Sequence, residues 1–187
     1  MNTRPRDPHG RVFLRPLTES DITDSYVAWF RDPEVTRFLD ARDISRNDAI
    51  EHLRRGQIGK AWLLYAICKA DGRHVGNLKI GPILWRHMTS DMITVIGDRS
   101  VWGQGCAREA IRLGIDIAFS ELNIRKLSAS IDSLNAGSIE AYIAAGFHIE
   151  TRLKDQFVDR AAAPMQLSDK IYVACFNSDF DPARISE

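Results

Sequence analysis

Residues 92–112, MITVIGDRSVWGQGCAREAIR, carry the clearest structural signal in this chain. An apolar segment runs into a loop with glycines at positions 103 and 105, and a helix-forming segment follows from Ala107. Both glycines permit left-handed dihedrals and allow the backbone to approach a ligand closely. Successive N–H groups at a helix start favour an anion, so the loop is suited to a diphosphate. The loop is neither GxxxxGK[ST] nor GxGxxG, which disfavours an ATP-type loop and leaves a ligand-free glycine turn as the alternative.

On both sides of this loop the hydrophobic periodicity alternates between strand and helix. Strands are predicted at 11–17, 61–69, 75–80, 91–97, 126–132, 147–153 and 170–176. Helices are predicted after Thr18, after Ser45, over 107–120 and from Asn135 to Gly146, and the Asp32-Pro33 pair is predicted to end the first of them. The order β-α-α-β-β-β-α-β-α-β-β predicts an α+β fold with a mixed sheet and helices on its faces. We expect one domain over 10–176, between polar tails at 1–9 and 177–187.

Composition excludes several classes of protein. Lysine plus arginine and aspartate plus glutamate both number 25 among 187 residues, so bulk charge does not hold this chain on nucleic acid or anionic lipid. Its three cysteines, at 68, 106 and 175, form no CxxC, which predicts neither a disulfide framework nor a metal site and favours a reducing cytoplasm. The polar start of the chain shows no signal peptide, and no apolar run is long enough for a membrane helix.

A second informative segment is residues 135–147, NAGSIEAYIAAGF. Either Asn135 or Ser138 can cap the helix that starts there. Tyr142 lies one turn beyond Ser138 and has two interpretations. It is either a core aromatic with a satisfied hydroxyl, or a phenol that donates a proton to a leaving thiolate.

Four pieces in order resemble the GCN5-related N-acetyltransferase (GNAT) superfamily, nearest its branch of ribosomal-protein, polyamine and amino-sugar acetyltransferases. They are LRPL at 14–17, DPEV at 32–35, IGD at 96–98 leading into WGQGCAREA at 102–110, and the spaced residues of 135–147. The resemblance implies a single-domain, largely antiparallel mixed sheet, flanked by about four helices, with a V-shaped splay between strands 4 and 5. It also implies acetyl-CoA as co-substrate, no metal, and direct acetyl transfer to a primary amine of an amino-sugar, a peptide N-terminus or a polyamine.

The resemblance further implies roles for individual residues. It places the CoA molecule against Val95, Ile96, Gly97, Trp102, Gly103, Gln104, Gly105, Cys106, Ala107, Arg108, Asn135, Ser138 and Tyr142. Asn135 would position the pantetheine end and its thioester, and Tyr142 would act as general acid toward the departing CoA thiolate. Cys106 is then a small filler and no covalent enzyme intermediate forms.

The general base is not identified by the sequence. An amine is mostly protonated at pH 7, so some group must accept a proton. Many relatives have a glutamate near the start of the fourth strand, where the aligned residue here is Met92. Asp91 is one residue out of register and is expected on the opposite face of the strand. His87 has a suitable ordinary pKa but is typical of a surface loop, and a water chain to a backbone carbonyl is a further alternative.

The acceptor also stays open. Trp29, Phe30, Phe38 and Trp85 are candidates for an apolar slot, although isolated aromatics are more often core. Residues 18–51 hold nine acidic residues against four arginines, which would attract a cationic amine or would simply form helix caps and a solvated surface. A non-catalytic acyl-CoA-binding or sensory module is the alternative function. We expect a small-molecule or peptide amine as partner, no nucleic acid and no membrane, and zero net charge is compatible with a homodimer.

Overall fold

Seven strands form the sheet at the centre of the molecule. The structure is a computed structural model that describes residues 10–159 and 164–185. The strands are β1 Val12–Pro16, β2 Leu63–Lys69, β3 His74–Leu84, β4 Thr89–Ile96, β5 Lys126–Asp132, β6 His148–Asp159 and β7 Gln166–Phe176. Their order across the sheet is β1-β2-β3-β4-β5-β7-β6, and every neighbouring pair is antiparallel except β4 and β5.

Helices connect these strands much as the sequence predicts. They are α1 Asp24–Trp29, α2 Pro33–Thr36, α3 Arg46–Gly59, α4 Cys106–Asp116 and α5 Ala136–Ala144. A π-helical turn, Ile117–Glu121, continues α4. The helix predicted after Ser45 begins with a capping box, because Ser45 accepts from the Asp48 N–H and the Asp48 carboxylate accepts from the Ser45 N–H.

Two local expectations need correction. The Asp32-Pro33 pair does not simply end the first helix, because it also begins the single-turn α2. The Asp32 carboxylate accepts from the Glu34 N–H, and Pro33 stands in the first turn, where its missing N–H costs nothing. Strand β3 runs beyond the predicted 75–80 because an irregularity between Ile80 and Ile83 lets pairing with β4 resume.

The helices divide between the two faces of the sheet and enclose two clusters. On the α4/α5 face, apolar residues of α4 and Tyr142 of α5 pack with strand residues such as Leu78, Met92 and Leu127. On the α1/α3 face, residues such as Tyr26 and Leu53 pack with Ala66. Alternating residues of β1 and β2 therefore face two different cores, with Leu14 and Ile67 on one side and Phe13 and Ala66 on the other.

The predicted splay is present between β4 and β5. Only three pairs join these strands, namely Thr89 with Lys126, Ser90 with Leu127 and Asp91 with Ser128. Beyond Asp91, β4 continues to Ile96 on its pairing with β3 alone, while β5 turns to β7. A cleft between the two strands therefore opens immediately after Asp91.

The structure also bears on the cysteines, on metal binding and on membrane-spanning helices. All three cysteines are free thiols, and Cys106 is buried, as expected for a filler. Residues 10–159 and 164–185 contain no group of three His, Cys, Asp or Glu side chains that could hold a metal ion. Within the same ranges, every helix is too short or too polar to cross a lipid bilayer.

Candidate active site

The glycine loop ends in an open helix N-terminus. Gly103 and Gly105 both have positive φ, at 73° and 78°, and Gly105 is the N-cap of α4. The Glu109 N–H donates to the Gly105 carbonyl at 3.1 Å, so the N–H groups of residues 106–108 precede the helical ladder. The Gln104 side chain donates to the Ser100 carbonyl and fixes the loop from below. This geometry suits an anion that is larger than a single oxygen.

A buried carboxylate organises cations around the same loop. Glu109 is 1% exposed, and its Oε1 accepts from Nε of Arg108 at 3.0 Å, with Nη2 of the same guanidinium at 2.9 Å. The guanidinium groups of Arg112 and Arg11 lie 3.6 and 3.8 Å from its carboxylate oxygens. A methyl group on Gly105 would lie 3.2 Å from Nη1 of Arg11, so this arginine, which immediately precedes β1, lies against the loop. Sequence reasoning missed Arg11, because it is 94 positions before Gly105 and belongs to no motif.

Trp102 ties the loop to the end of β4. Its indole Nε1 donates to the Ile96 carbonyl at 2.9 Å, and the Arg99 guanidinium lies 5.5 Å from its ring centroid. The Gly97 N–H donates to the Val75 carbonyl at 3.0 Å, so residues 95–97 stay fixed on β3. The end of β4 is therefore paired with β3 along one edge. Its other edge, which faces the cleft, has no β5 partner.

Tyr142 reaches the point where the two strands part. It is 3% exposed on α5, and its hydroxyl donates to the Met92 carbonyl at 2.9 Å, with Thr94 Oγ1 at 3.4 Å. Met92 is the first β4 residue without a β5 partner, so the phenol replaces a backbone donor there. Burial raises the pKa of Tyr142 well above its ordinary value, and the charge of Asp91 raises it further. The hydroxyl is thus both satisfied in the core and placed, protonated, at the vertex of the splay.

Asn135 and Ser138 form the cap of α5. The Asn135 Oδ1 accepts from the Ser138 N–H at 3.2 Å, and this use leaves the side-chain amino group of Asn135 available. Asn135 follows β5 by three residues, so it lies beyond the cleft-facing end of that strand. Capping therefore accounts for the positions of Asn135 and Ser138. It leaves the Asn135 amino group available to donate to a ligand carbonyl.

The two candidate bases occupy very different places. Asp91 belongs to the last β4–β5 pair, on the face opposite Met92, which is 1% exposed and packs toward Gly114 of α4. Burial raises the pKa of Asp91, and the charges of Lys170 and Lys79 partly offset that rise. His87 lies in the exposed turn before β4, where its backbone carbonyl accepts from Nε of Arg125. Only Asp91 lies at the vertex of the splay.

The four candidate acceptor aromatics do not converge. Trp29 lines a surface cavity of about 460 Å³ and packs against Gly97, at the far end of β4. Trp85 precedes Thr89, the first residue of β4, and its Nε1 donates to the Lys60 carbonyl. The eight residues of β4 therefore separate Trp85 from Trp29 by about 26 Å. Phe30 is buried in the α1/α3 core, and Phe38 packs under the Arg37 guanidinium. A single aromatic slot built from these residues is not present.

The acidic stretch 18–51 is mostly neutralised by arginine. Five of its nine acidic side chains lie within 4 Å of a guanidinium, and Asp48 serves as a cap. The pairs are Asp21 with Arg15, Asp43 with Arg31, Glu19 with Arg54, Glu51 with Arg55 and Asp32 with Arg99. The structure thus favours the interpretation of this stretch as caps and solvated surface over that of a cation-attracting patch.

Together these features fit a diphosphate-bearing ligand with an extended arm. The open α4 N-terminus and the guanidinium groups of Arg11 and Arg108 offer donors to phosphate oxygens. The unpaired edge of β4 offers backbone groups to an amide-containing arm, as an added strand would use them. Coenzyme A has both parts, so the residues present fit it.

Comparisons with known proteins point the same way. Residues 11–148 match the family described as Acetyltransferase (GNAT) domain. The chain is 32% identical over 147 residues to Probable N-acetyltransferase YjcK of Bacillus subtilis (strain 168), covering 74% of this chain and 81% of that protein. It is 29% identical over 155 residues to Spermidine N(1)-acetyltransferase of Escherichia coli (strain K12), covering 78% and 77%. A solved structure, spermidine N-acetyltransferase from Vibrio cholerae in complex with CoA and spermine, has a TM-score of 0.80 at 18% identity over 91% of this chain and 98% of that one, which shows the fold alone.

Proposed function

Because this chain belongs to the GNAT acetyltransferase family, we propose that it transfers the acetyl group of acetyl-CoA directly to a primary amine. The amine belongs to an amino-sugar, a peptide N-terminus or a polyamine. The observation that carries the proposal is the unit of splayed β4, positive-φ glycine loop and open α4 N-terminus. These features occur together on the strand and helix that the family match includes.

We propose the following binding roles for this unit. The N–H groups and side chains of the loop hold the diphosphate, and Arg108 and the indole of Trp102 flank it. The backbone of β4 near the loop bonds the pantetheine arm. The full set is Val95, Ile96, Gly97, Trp102, Gly103, Gln104, Gly105, Cys106, Ala107 and Arg108, with Asn135, Ser138 and Tyr142 across the cleft.

The chemistry requires three proton movements around one acyl transfer: two protons leave the nitrogen and one is added to the sulfur. Acetyl-CoA supplies a thioester carbonyl, which an uncharged amine attacks. We propose that Asp91 accepts the proton of the incoming ammonium, since its raised pKa makes it a better base than an ordinary aspartate. Tyr142 donates its phenolic proton to the departing sulfur as the C–S bond breaks, and the second proton lost by the attacking nitrogen returns to the phenolate. The Asn135 amino group orients the acyl carbonyl. Direct transfer leaves Cys106 without a role as a nucleophile.

One observation favours the alternative of a non-catalytic acyl-CoA-binding module. Met92 stands where many relatives carry a glutamate, and it is buried against α4, out of reach of any substrate. If Asp91 does not replace that glutamate, the chain would bind the thioester without turning it over. The two functions differ in whether an amine accelerates thiol release.

Thiol release separates them directly. The full chain is incubated with acetyl-CoA and a panel of amines, and free CoA is followed with a thiol-reactive chromophore while calorimetry measures acetyl-CoA binding. Amine-stimulated release supports the transferase. Binding without any amine-stimulated release supports the sensory module, and absence of binding refutes both.

The cellular setting is part of the proposal. Three free cysteines, one of them half-exposed, are typical of a reducing compartment, so we propose a cytoplasmic location. Fractionation of the native host with antibody detection tests it. Recovery in an oxidising compartment would contradict it.

A further inference from the structure

Within residues 10–159 and 164–185, no helix covers one part of the sheet surface beside the cleft. It lies on the α1/α3 face where β4, β5 and β7 adjoin, and we call it the open face. Asp91 and Ile93 of β4 point to it, and Ile93 is 44% exposed. Ser128 and Ser130 of β5 share it, because Ser128 pairs with Asp91. On this side α3 packs chiefly on β2, away from these strands. An acceptor amine can therefore reach Asp91 from here.

Two lysines border this surface on either side of Asp91. Lys79 of β3 pairs with Ile93 and so shares its face, and its Nζ lies 4.8 Å from the Trp62 ring centroid. Lys170 of β7 pairs with Asp132 of β5, two positions beyond Ser130, and its Nζ lies 5.0 Å from the Tyr172 ring centroid. Cation–π contacts thus help to hold both lysine side chains in position.

Neither ammonium group is neutralised by a close carboxylate. Among the described residues, no aspartate or glutamate oxygen lies within 4 Å of Nζ of Lys79 or Lys170. Both lysines nevertheless act on Asp91, since each lowers its pKa. Asp132 lies on the same face opposite Lys170, and its carboxylate accepts from the Leu134 N–H. Both ammonium groups beside the proposed base therefore remain available to an anion.

This charge distribution discriminates between acceptors. A polyamine brings further ammonium groups next to two lysines, and like charges at close range are unfavourable. The acidic stretch 18–51 offers little compensation, because most of its carboxylates are already paired with arginine. An amine whose molecule also carries a carboxylate or phosphate would instead gain charge-assisted hydrogen bonds from the lysines.

We propose that the acceptor is a primary amine carrying an anionic group, which Lys79 and Lys170 bind while the amine faces Asp91. This rests on the proposed acetyl transfer. Two sources supply that chemistry, the carboxylate of an amino acid or peptide and the phosphate of a phosphorylated or nucleotide-linked amino-sugar. The proposal requires an anion that lies on the open face within reach of these lysines, which stand on β3 and β7 with β4 and β5 between them, while the nitrogen faces Asp91.

Matched acceptor pairs test the proposal. Each pair differs only in the anion: glucosamine and glucosamine 6-phosphate, alanine and alaninamide, with spermidine as the polycation. We expect kcat/KM in thiol release to be at least about tenfold higher for the anionic member of one pair, and the pair that shows it identifies the source. Lys79→Gln and Lys170→Gln should each reduce that ratio about tenfold, mainly through KM, whereas Lys60→Gln, at the exposed end of α3, should leave it unchanged.

The outcomes separate the two proposals. Equal kcat/KM within both pairs, or a preference for spermidine, overturns the anionic acceptor and leaves acetyl transfer standing. An anion preference that survives both lysine substitutions overturns the assignment to these residues. Failure of every amine to stimulate release, with acetyl-CoA still bound in calorimetry, refutes acetyl transfer and this proposal together.

Discussion

Tyr142→Phe removes one oxygen atom at the vertex of the splay and preserves the ring. The ring packs edge-on against Phe147 at 5.0 Å and fills the core between α5 and the sheet, so the fold should persist. The lost hydroxyl leaves the Met92 carbonyl without its donor. An unsatisfied backbone group of this kind costs about 1–2 kcal/mol, which at about 2 kcal/mol per molar urea lowers the unfolding midpoint by about 0.5–1 M.

The effect on catalysis should be much larger than the effect on folding. Loss of a general acid lowers kcat by roughly 10²–10⁴-fold when the chemical step limits the rate. Because burial raises the pKa of Tyr142, the wild-type phenol stays protonated across the neutral and mildly alkaline range. The ratio of wild-type to variant kcat should therefore stay large at every pH at which the protein is folded.

The assay is thiol release at saturating acetyl-CoA and amine, with acetyl-CoA affinity measured separately by calorimetry. Tyr65→Phe is the matched control, since it removes the same atom from a half-buried tyrosine on β2, remote from the cleft. A kcat for Tyr142→Phe equal to that of wild type at all pH values refutes the general-acid role. A loss confined to acetyl-CoA affinity makes the hydroxyl a structural contact only.

Three further substitutions probe the loop, its cations and the base. Glu109→Gln removes the carboxylate that holds Arg108 and two other guanidinium groups. The free energy of unfolding, measured by urea titration, should fall by about 1–3 kcal/mol. An unchanged urea midpoint would contradict the anchoring role of Glu109. Gly105→Ala forces a side chain into φ 78° and against Arg11, and should weaken acetyl-CoA binding about tenfold in calorimetry, whereas Gly59→Ala, with only a 3.9 Å contact, should bind normally. Asp91→Asn should lower kcat/KM roughly 10²–10⁴-fold, and wild-type activity should fall as the pH drops through the raised pKa of Asp91. A raised carboxyl pKa penalises the charged folded state, so Asp91→Asn should be at least as stable as wild type at pH 7, and a large loss of stability would contradict this account.

Local chemistry explains which features were predictable from sequence. The strand, loop and helix of residues 92–112 are specified by apolar periodicity and two glycines within a few positions, and the structure confirms them. Caps behave likewise, because Ser45 and Asn135 each bond a backbone N–H three residues away. Short-range signals of this kind need no knowledge of the rest of the chain.

Contacts between distant segments could not be predicted in this way. Arg11 reaches the loop only because β1 begins beside α4, which depends on the strand order of the whole sheet. The separation of Trp29 from Trp85 follows from the length of β4, which the composition of these segments does not reveal. The location of Asp91 at the vertex depends on where β4–β5 pairing stops, and it stops where the Tyr142 hydroxyl, 51 positions later in the chain, bonds the Met92 carbonyl.

The brevity of the β4–β5 joint has a consequence for acyl-chain selectivity. Three residue pairs join β4 to β5, and thus the half-sheet β1–β4 to the half-sheet β5–β7. The volume of the side chains beneath these strands should therefore set the width of the cleft that is proposed to hold the thioester. Gly114 lies beneath β4, where an added methyl would come within 2.9 Å of Met92 and Leu78. Bulk added or removed at that level should tilt one half-sheet against the other, so tolerance for longer acyl groups can change while every catalytic side chain is retained.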